Sequence, residues 1–156
     1  MDLRATIAGK ETLLPKDAVP RRTIYLVKLI EGLIRTKSDA ELRAIGLTLA
    51  QYTMLALLRG QAATSASLAR RLYTTPQSAN EHVMKLVNLG LISRQFRSGK
   101  LRDMEIELTN EGRAMLQSCD GVIERIEQSL FGHLTSDDLD RLRSTLTAVV
   151  DRFRKS

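Results

Sequence analysis

The chain has 156 residues, a hydrophobic fraction of 43% and a net charge of +6, which suits one domain, or one domain with an appended assembly element, around a real core. It contains no run of about 18 apolar residues, and Met1-Asp2-Leu3-Arg4 lacks the apolar stretch of a signal peptide, so a soluble, unexported protein is expected. A single cysteine, Cys119, excludes an internal disulfide and fits a reducing cytoplasm.

Residues 1–20 show no periodicity and hold Pro15 and Pro20, which marks them as a loosely ordered arm. From Arg21 the pattern turns helical: Ile24, Val27, Ile30, Leu33 and Ile34 recur at three- and four-residue steps, with Leu26 and Leu29 beside them. So much apolar surface suggests a helix buried on its own domain and on a second subunit. Lys37-Ser38-Asp39 is expected to break this helix, with Ser38 capping a short run to Ala44. Gly46-Leu47-Thr48 opens the next helix, capped by Thr48 and carrying Tyr52, Leu55 and Leu58 on one face, and Arg59-Gly60 ends it.

The stretch from Ser65 to Thr109 reads as helix, turn, helix and hairpin. A short helix runs from Ser65 to Leu72, capped by Thr64 or Ser65, and a break at Tyr73-Thr74-Thr75-Pro76 leads into a helix from Gln77 to Leu89 that Gly90 stops. Pro76 suits a first helical turn, where its missing N–H costs nothing. Ala79, Val83, Leu86 and Val87 form the inner face, and about 100° of rotation per residue puts Gln77, Glu81, Lys85 and Asn88 opposite, with Ser78 and Asn80 at the flanks. Amide, hydroxyl and carboxylate groups near a helix N-terminus are what major-groove reading requires, because Gln and Asn can address adenine, Ser and Thr phosphates or bases, and Glu cytosine. Two strands follow, Leu91 to Arg97 and Leu101 to Thr109. In the second, Met104, Ile106 and Leu108 alternate with acidic residues. Arg94, Arg97, Lys100 and Arg102 are expected to gather near the hairpin tip around Gly99, where an arginine could enter a minor groove.

Charge follows the same division. From Arg59 to Arg102 the basic residues are Arg59, Arg70, Arg71, Lys85, Arg94, Arg97, Lys100 and Arg102 against Glu81 alone, and the chain from Asp103 onward is acidic. Such clustering is the electrostatic footprint of a phosphate-binding face. A merely solvated basic surface would have the same composition, and the order of the elements decides against it.

Beyond Gly112, Leu116, Cys119, Ile123, Ile126 and Leu130 step by threes and fours, and so do Leu139, Leu142, Leu146, Val149 and Phe153, with Ser136 separating the runs. Two narrow stripes and an apolar first helix exceed what one small DNA-binding domain can cover, so Ile24, Val27, Leu139, Leu142, Leu146, Val149 and Phe153 are expected in a dimer interface; the alternative is a monomer with a helical subdomain. Cys119 occupies a stripe position, where an inert buried thiol is expected over a redox sensor. His82 and His133 have no partner at metal-ligand spacing, and neither a metal nor a cofactor is expected. No glycine-rich nucleophile turn or phosphate loop supports an enzyme.

Gly46-Leu47-Thr48, Thr75-Pro76-Gln77-Ser78-Ala79-Asn80-Glu81, Leu89-Gly90-Leu91-Ile92 and Leu108-Thr109-Asn110-Glu111-Gly112, in that order and spacing, resemble the bacterial MarR regulators of the multiple-antibiotic-resistance type. The likeness covers Arg21 to the C-terminus. It implies a mainly α chain with a β-hairpin wing: N-terminal helices in 21–46 contributing to dimerisation, a winged helix-turn-helix in 47–109, and C-terminal dimerisation helices in 110–156. It also implies a homodimeric repressor of a pseudo-palindromic operator, often released by a small aromatic or phenolic ligand. On this reading Thr75, Gln77, Ser78, Asn80, Glu81 and Lys85 face double-stranded DNA. Arg97, Lys100 and Arg102 form the wing contacts, Arg70 and Arg71 meet phosphate, and Tyr25 and Tyr52 line a ligand pocket. One departure stands out: Lys100-Leu101-Arg102 replaces the family's Asp-Arg-Arg or Asp-Lys-Arg, so the aspartate that steadies the groove-seeking arginine is missing. The competing reading is an architectural or RNA-associated winged helix with little sequence preference.

Overall fold

The computed structural model describes residues 22–96 and 104–154. Its elements are α1 (Thr23–Arg43), α2 (Leu49–Leu57), α3 (Ser65–Arg71), α4 (Pro76–Asn88), β1 (Ile92–Phe96), β2 (Met104–Leu108), α5 (Asn110–Phe131) and α6 (Ser136–Arg154). The chain divides into two compact units with the boundary inside α1, between Leu33 and Ile34.

In the first unit the apolar side chains of α1 are largely in solvent: Ile24 is 78% exposed and Val27 49%. In the second unit α1 continues without interruption through Lys37-Ser38-Asp39, contrary to the expected break. None of the three forbids helical geometry, and serine's competing backbone hydrogen bonds disfavour a helix only weakly. Tertiary ties on either side outweigh that preference: Lys37 Nζ donates to Ser129 Oγ at 3.0 Å and Arg125 pairs with Glu41 at 3.6 Å. Ser38 is therefore wholly buried in mid-helix, and its hydroxyl has no hydrogen-bond partner among the described residues. The helix stops at Arg43, where Leu47 N–H closes back on the Leu42 carbonyl at 3.0 Å.

Threonines set the starts of the next helices. Thr48 and Gln51 form a reciprocal capping box on α2, Thr64 caps α3, Thr75 caps α4 and Thr109 caps α5, each hydroxyl accepting an otherwise orphaned backbone N–H. The end of α4 uses Gly90, whose φ of +71° lets Leu91 N–H return to the Leu86 carbonyl at 3.0 Å. The same closure after α3 places Tyr73, at φ +51°, in the left-handed region, with Thr74 N–H on the Ala69 carbonyl at 3.0 Å. That turn sets the entry of α4 relative to α3.

One core joins these elements. It takes Leu42 from α1, Met54 and Leu55 from α2, Leu68 from α3, Val83 and Leu86 from α4, Ile106 and Leu108 from β2, and Leu116, Cys119 and Ile126 from α5. Strands β1 and β2 pair antiparallel with Ile92 opposite Leu108, Arg94 opposite Ile106 and Phe96 opposite Met104. On the other edge of β2, Ala63 N–H and C=O bond the backbone of Ile106 at 3.0 and 2.8 Å, a short third pairing that the sequence pattern did not show. Helix α6 contributes no fully buried residue; Thr135 caps it, accepting from Asp138 N–H at 3.2 Å. No described helix is long and apolar enough to cross a membrane.

Candidate nucleic-acid interface

The inner face of α4 is closed by the core, with Ala79, Val83 and Leu86 all at 0% exposure, so its opposite face is left to the solvent. Gln77, Asn80, Glu81, Lys85 and Asn88 are exposed there and Ser78 is half-buried at the flank. Gln77 Nε2 donates to Glu81 Oε1 at 3.3 Å, one turn along the helix. Thr75 stands at the N-terminus, but its hydroxyl is engaged as the cap, accepting from Ser78 N–H at 3.1 Å. The first turn of α4 carries no acidic residue, so its partly positive end stays uncompensated and favourable to anions.

Arg70 and Arg71 differ. Arg70 is exposed, whereas Arg71 is half-buried with its guanidinium directed at the Leu57 carbonyl, 3.4 Å away. Arg70 is thus the freer of the two to meet a phosphate. Arg97, Lys100 and Arg102 lie outside the described residues.

Arg94 departs from expectation. It was grouped with the basic hairpin tip, but it occupies the middle of β1 and its Nη2 donates to Asn80 Oδ1 of α4 at 3.1 Å. Its inward direction was readable from strand alternation: residue 94 shares a face with Ile92, and Ile92 is buried.

A second polar cluster joins α2 to α5. Arg59 Nη2 straddles the two oxygens of Asp120 at 2.8 Å each, and Tyr52 Oη donates to Asp120 Oδ1 at 3.2 Å. Burial and then the Asp120 charge raise the Tyr52 pKa above its ordinary value, so the phenol stays protonated as a donor. Of the two tyrosines expected at a ligand pocket, Tyr52 therefore already has a partner for its hydroxyl. Tyr25 belongs to the first unit and is 39% exposed.

His82 is half-buried on α4 with an Nδ1 that has no partner among the described residues, and His133 is exposed beyond α5. Cys119 is fully buried, and burial first and Asp120 second push its thiol pKa upward. A neutral, enclosed thiol is a poor nucleophile. Thiol reagents are expected to label the native protein at least about 100-fold more slowly than the urea-unfolded chain. Equal labelling rates would contradict this placement.

Comparison with known proteins gives one family. The model of the MarR family matches residues 45–102. The HTH-type transcriptional repressor Rv2887 of Mycobacterium tuberculosis is 29% identical over 113 residues, spanning 72% of this chain and 81% of that protein. The crystal structure of the M. tuberculosis MarR family protein Rv2887 in complex with salicylic acid superposes with a TM-score of 0.68 at 27% identity, covering 85% of this chain and 98% of that one. A MarR family transcriptional regulator from Rhodococcus sp. RHA1 shares the fold at a TM-score of 0.74 and 19% identity, over 81% of this chain and 91% of that one.

Proposed function

We propose that the chain is a winged helix-turn-helix transcriptional regulator of the MarR type, a homodimeric, sequence-specific repressor of a pseudo-palindromic operator, released by a small aromatic ligand. The observation that carries the reading is the exposed face of α4, where amide, carboxylate and ammonium groups stand opposite a fully buried apolar face. Such a helix, with an anion-favouring N-terminus and Arg70 nearby in the fold's basic segment, can enter the major groove while phosphates are held around it. Two-fold pairing follows from the exposed apolar residues of α6 and, separately, of α1. It would set two reading helices about one DNA turn (~34 Å) apart.

Base and backbone contacts can be told apart by substitution. Gln77→Ala should change preference among related duplexes, whereas Arg102→Ala should weaken all of them about equally, each by roughly 1–3 kcal/mol. Wild-type binding by both variants, measured by titration at fixed salt, would overturn the docking. The ligand class rests on the salicylic acid held by the M. tuberculosis relative. Salicylate should raise the melting temperature of this protein and loosen its hold on DNA; absence of both effects counts against that class.

A further inference from the structure

The contact between Arg94 and Asn80 bears on which base the proposed reading helix recognises, and it rests on the DNA-binding reading above. Arg94 faces Ile106 across the hairpin. Because the Ile106 backbone N–H and C=O are turned to Ala63, Arg94 and Ile106 form the close, non-hydrogen-bonded type of antiparallel pair, with side chains packed together on one face. Ile106 is 1% exposed and Ile92, next on the same face, 2%. The stem of Arg94 therefore starts from a fixed, buried strand face, and its guanidinium reaches Asn80 Oδ1 at 3.1 Å.

A guanidinium has donors only, so the Asn80 amide has to turn its oxygen to Arg94 and its NH2 group away. The bond is charge-assisted and stronger than one between neutral groups. Free asparagine reads adenine with both amide atoms, donating to N7 and accepting from the N6 amine. Arg94 takes one lone pair of that oxygen and fixes the direction of the amide, so Asn80 acts chiefly through its NH2 group, and the base edge that suits donors is guanine, with acceptors at N7 and O6. We propose that Arg94 is a positioning residue that fixes the Asn80 amide, making Asn80 a reader of guanine in the major groove chiefly through its NH2 donors.

The experiment selects duplexes from a random pool with the full-length protein, then measures binding to every single-base variant of the selected site at one salt concentration. The wild type should show a guanine in each half-site whose replacement by adenine costs about 5- to 10-fold, and Asn80→Ala should flatten that position alone. Arg94→Met, which frees the amide, should move the same position towards adenine, and in an Asn80→Ala background it should leave the preference unchanged. Asn80→Asp keeps an acceptor for Arg94 and removes the donors, so it too should abolish the guanine preference, at an exposed position where folding is not at risk. A uniform loss of affinity in Arg94→Met with an unaltered profile, or a position flattened by Asn80→Ala that does not respond to Arg94→Met, overturns the proposal and leaves the DNA-binding reading standing. Failure of the wild type to select any site overturns both.

Discussion

Replacing Leu146 and Val149 together by aspartate is expected to convert the proposed dimer to monomers while leaving each subunit folded. These side chains are 49% and 54% exposed in the single chain, Phe153 is 66% exposed, and α6 supplies no fully buried residue to its own subunit. A carboxylate forced into an apolar interface without a partner costs several kcal/mol. The dimer dissociation constant should therefore rise by about 100-fold or more, read by sedimentation at micromolar concentration, with helix content retained. DNA affinity should fall with it, since each half-site would then be bound alone. A double variant that sediments as the wild type does would show that α6 is not at the interface.

Gly112→Ala is expected to be strongly destabilising. The N-terminus of α5 is locked against the end of α4 and the start of the hairpin: Thr109 Oγ1 donates to the Gly90 carbonyl at 2.7 Å, Thr109 N–H bonds the Leu91 carbonyl at 3.1 Å, and Gly112 N–H bonds Thr109 Oγ1 at 2.9 Å. A Cβ at Gly112 would collide with the Leu91 carbonyl oxygen, a backbone atom that cannot move without opening this lock. The loss should exceed about 3 kcal/mol, or roughly 10 °C in melting temperature for a chain of this size. Ala114→Gly, at an exposed position two residues on, should cost about 1 kcal/mol. A melting temperature within about 2 °C of the wild type for Gly112→Ala would contradict the packing described.

The helices and the hairpin were legible because their signals are local. Thr48 lies just before an apolar run, Pro76 fits a first turn and Gly90 supplies the left-handed residue, so these boundaries follow from backbone chemistry within a few positions. Features set by distant partners were harder to read. The run Lys37-Ser38-Asp39 looked like a break because serine and aspartate favour caps, yet contacts to α5 some ninety residues away hold it helical. Ala63 gives no strand signal by itself, since its pairing depends on Ile106. Arg94 was assigned to the hairpin tip by charge and proximity to Gly99. Its place on the inward face follows instead from period two counted from Ile92, and its partner Asn80 follows only from the way the hairpin folds back on α4. The hydroxyl of Thr75, grouped by residue type with the base readers, is spent as a cap. The exposed face of α4, by contrast, was readable in full, because helical rotation alone separates Gln77, Glu81 and Lys85 from Ala79, Val83 and Leu86.

Two-fold, sequence-specific recognition of DNA by α4 is open to competition binding. A duplex enriched by the protein from a random pool is competed, at matched salt, against a scrambled duplex of equal length and composition. The expected result is an enriched motif with two-fold symmetry, half-site centres about 10 base pairs apart and a preference over the scrambled duplex of about 1,000-fold or more. Equal competition by the two duplexes, with no symmetric motif enriched, would contradict it.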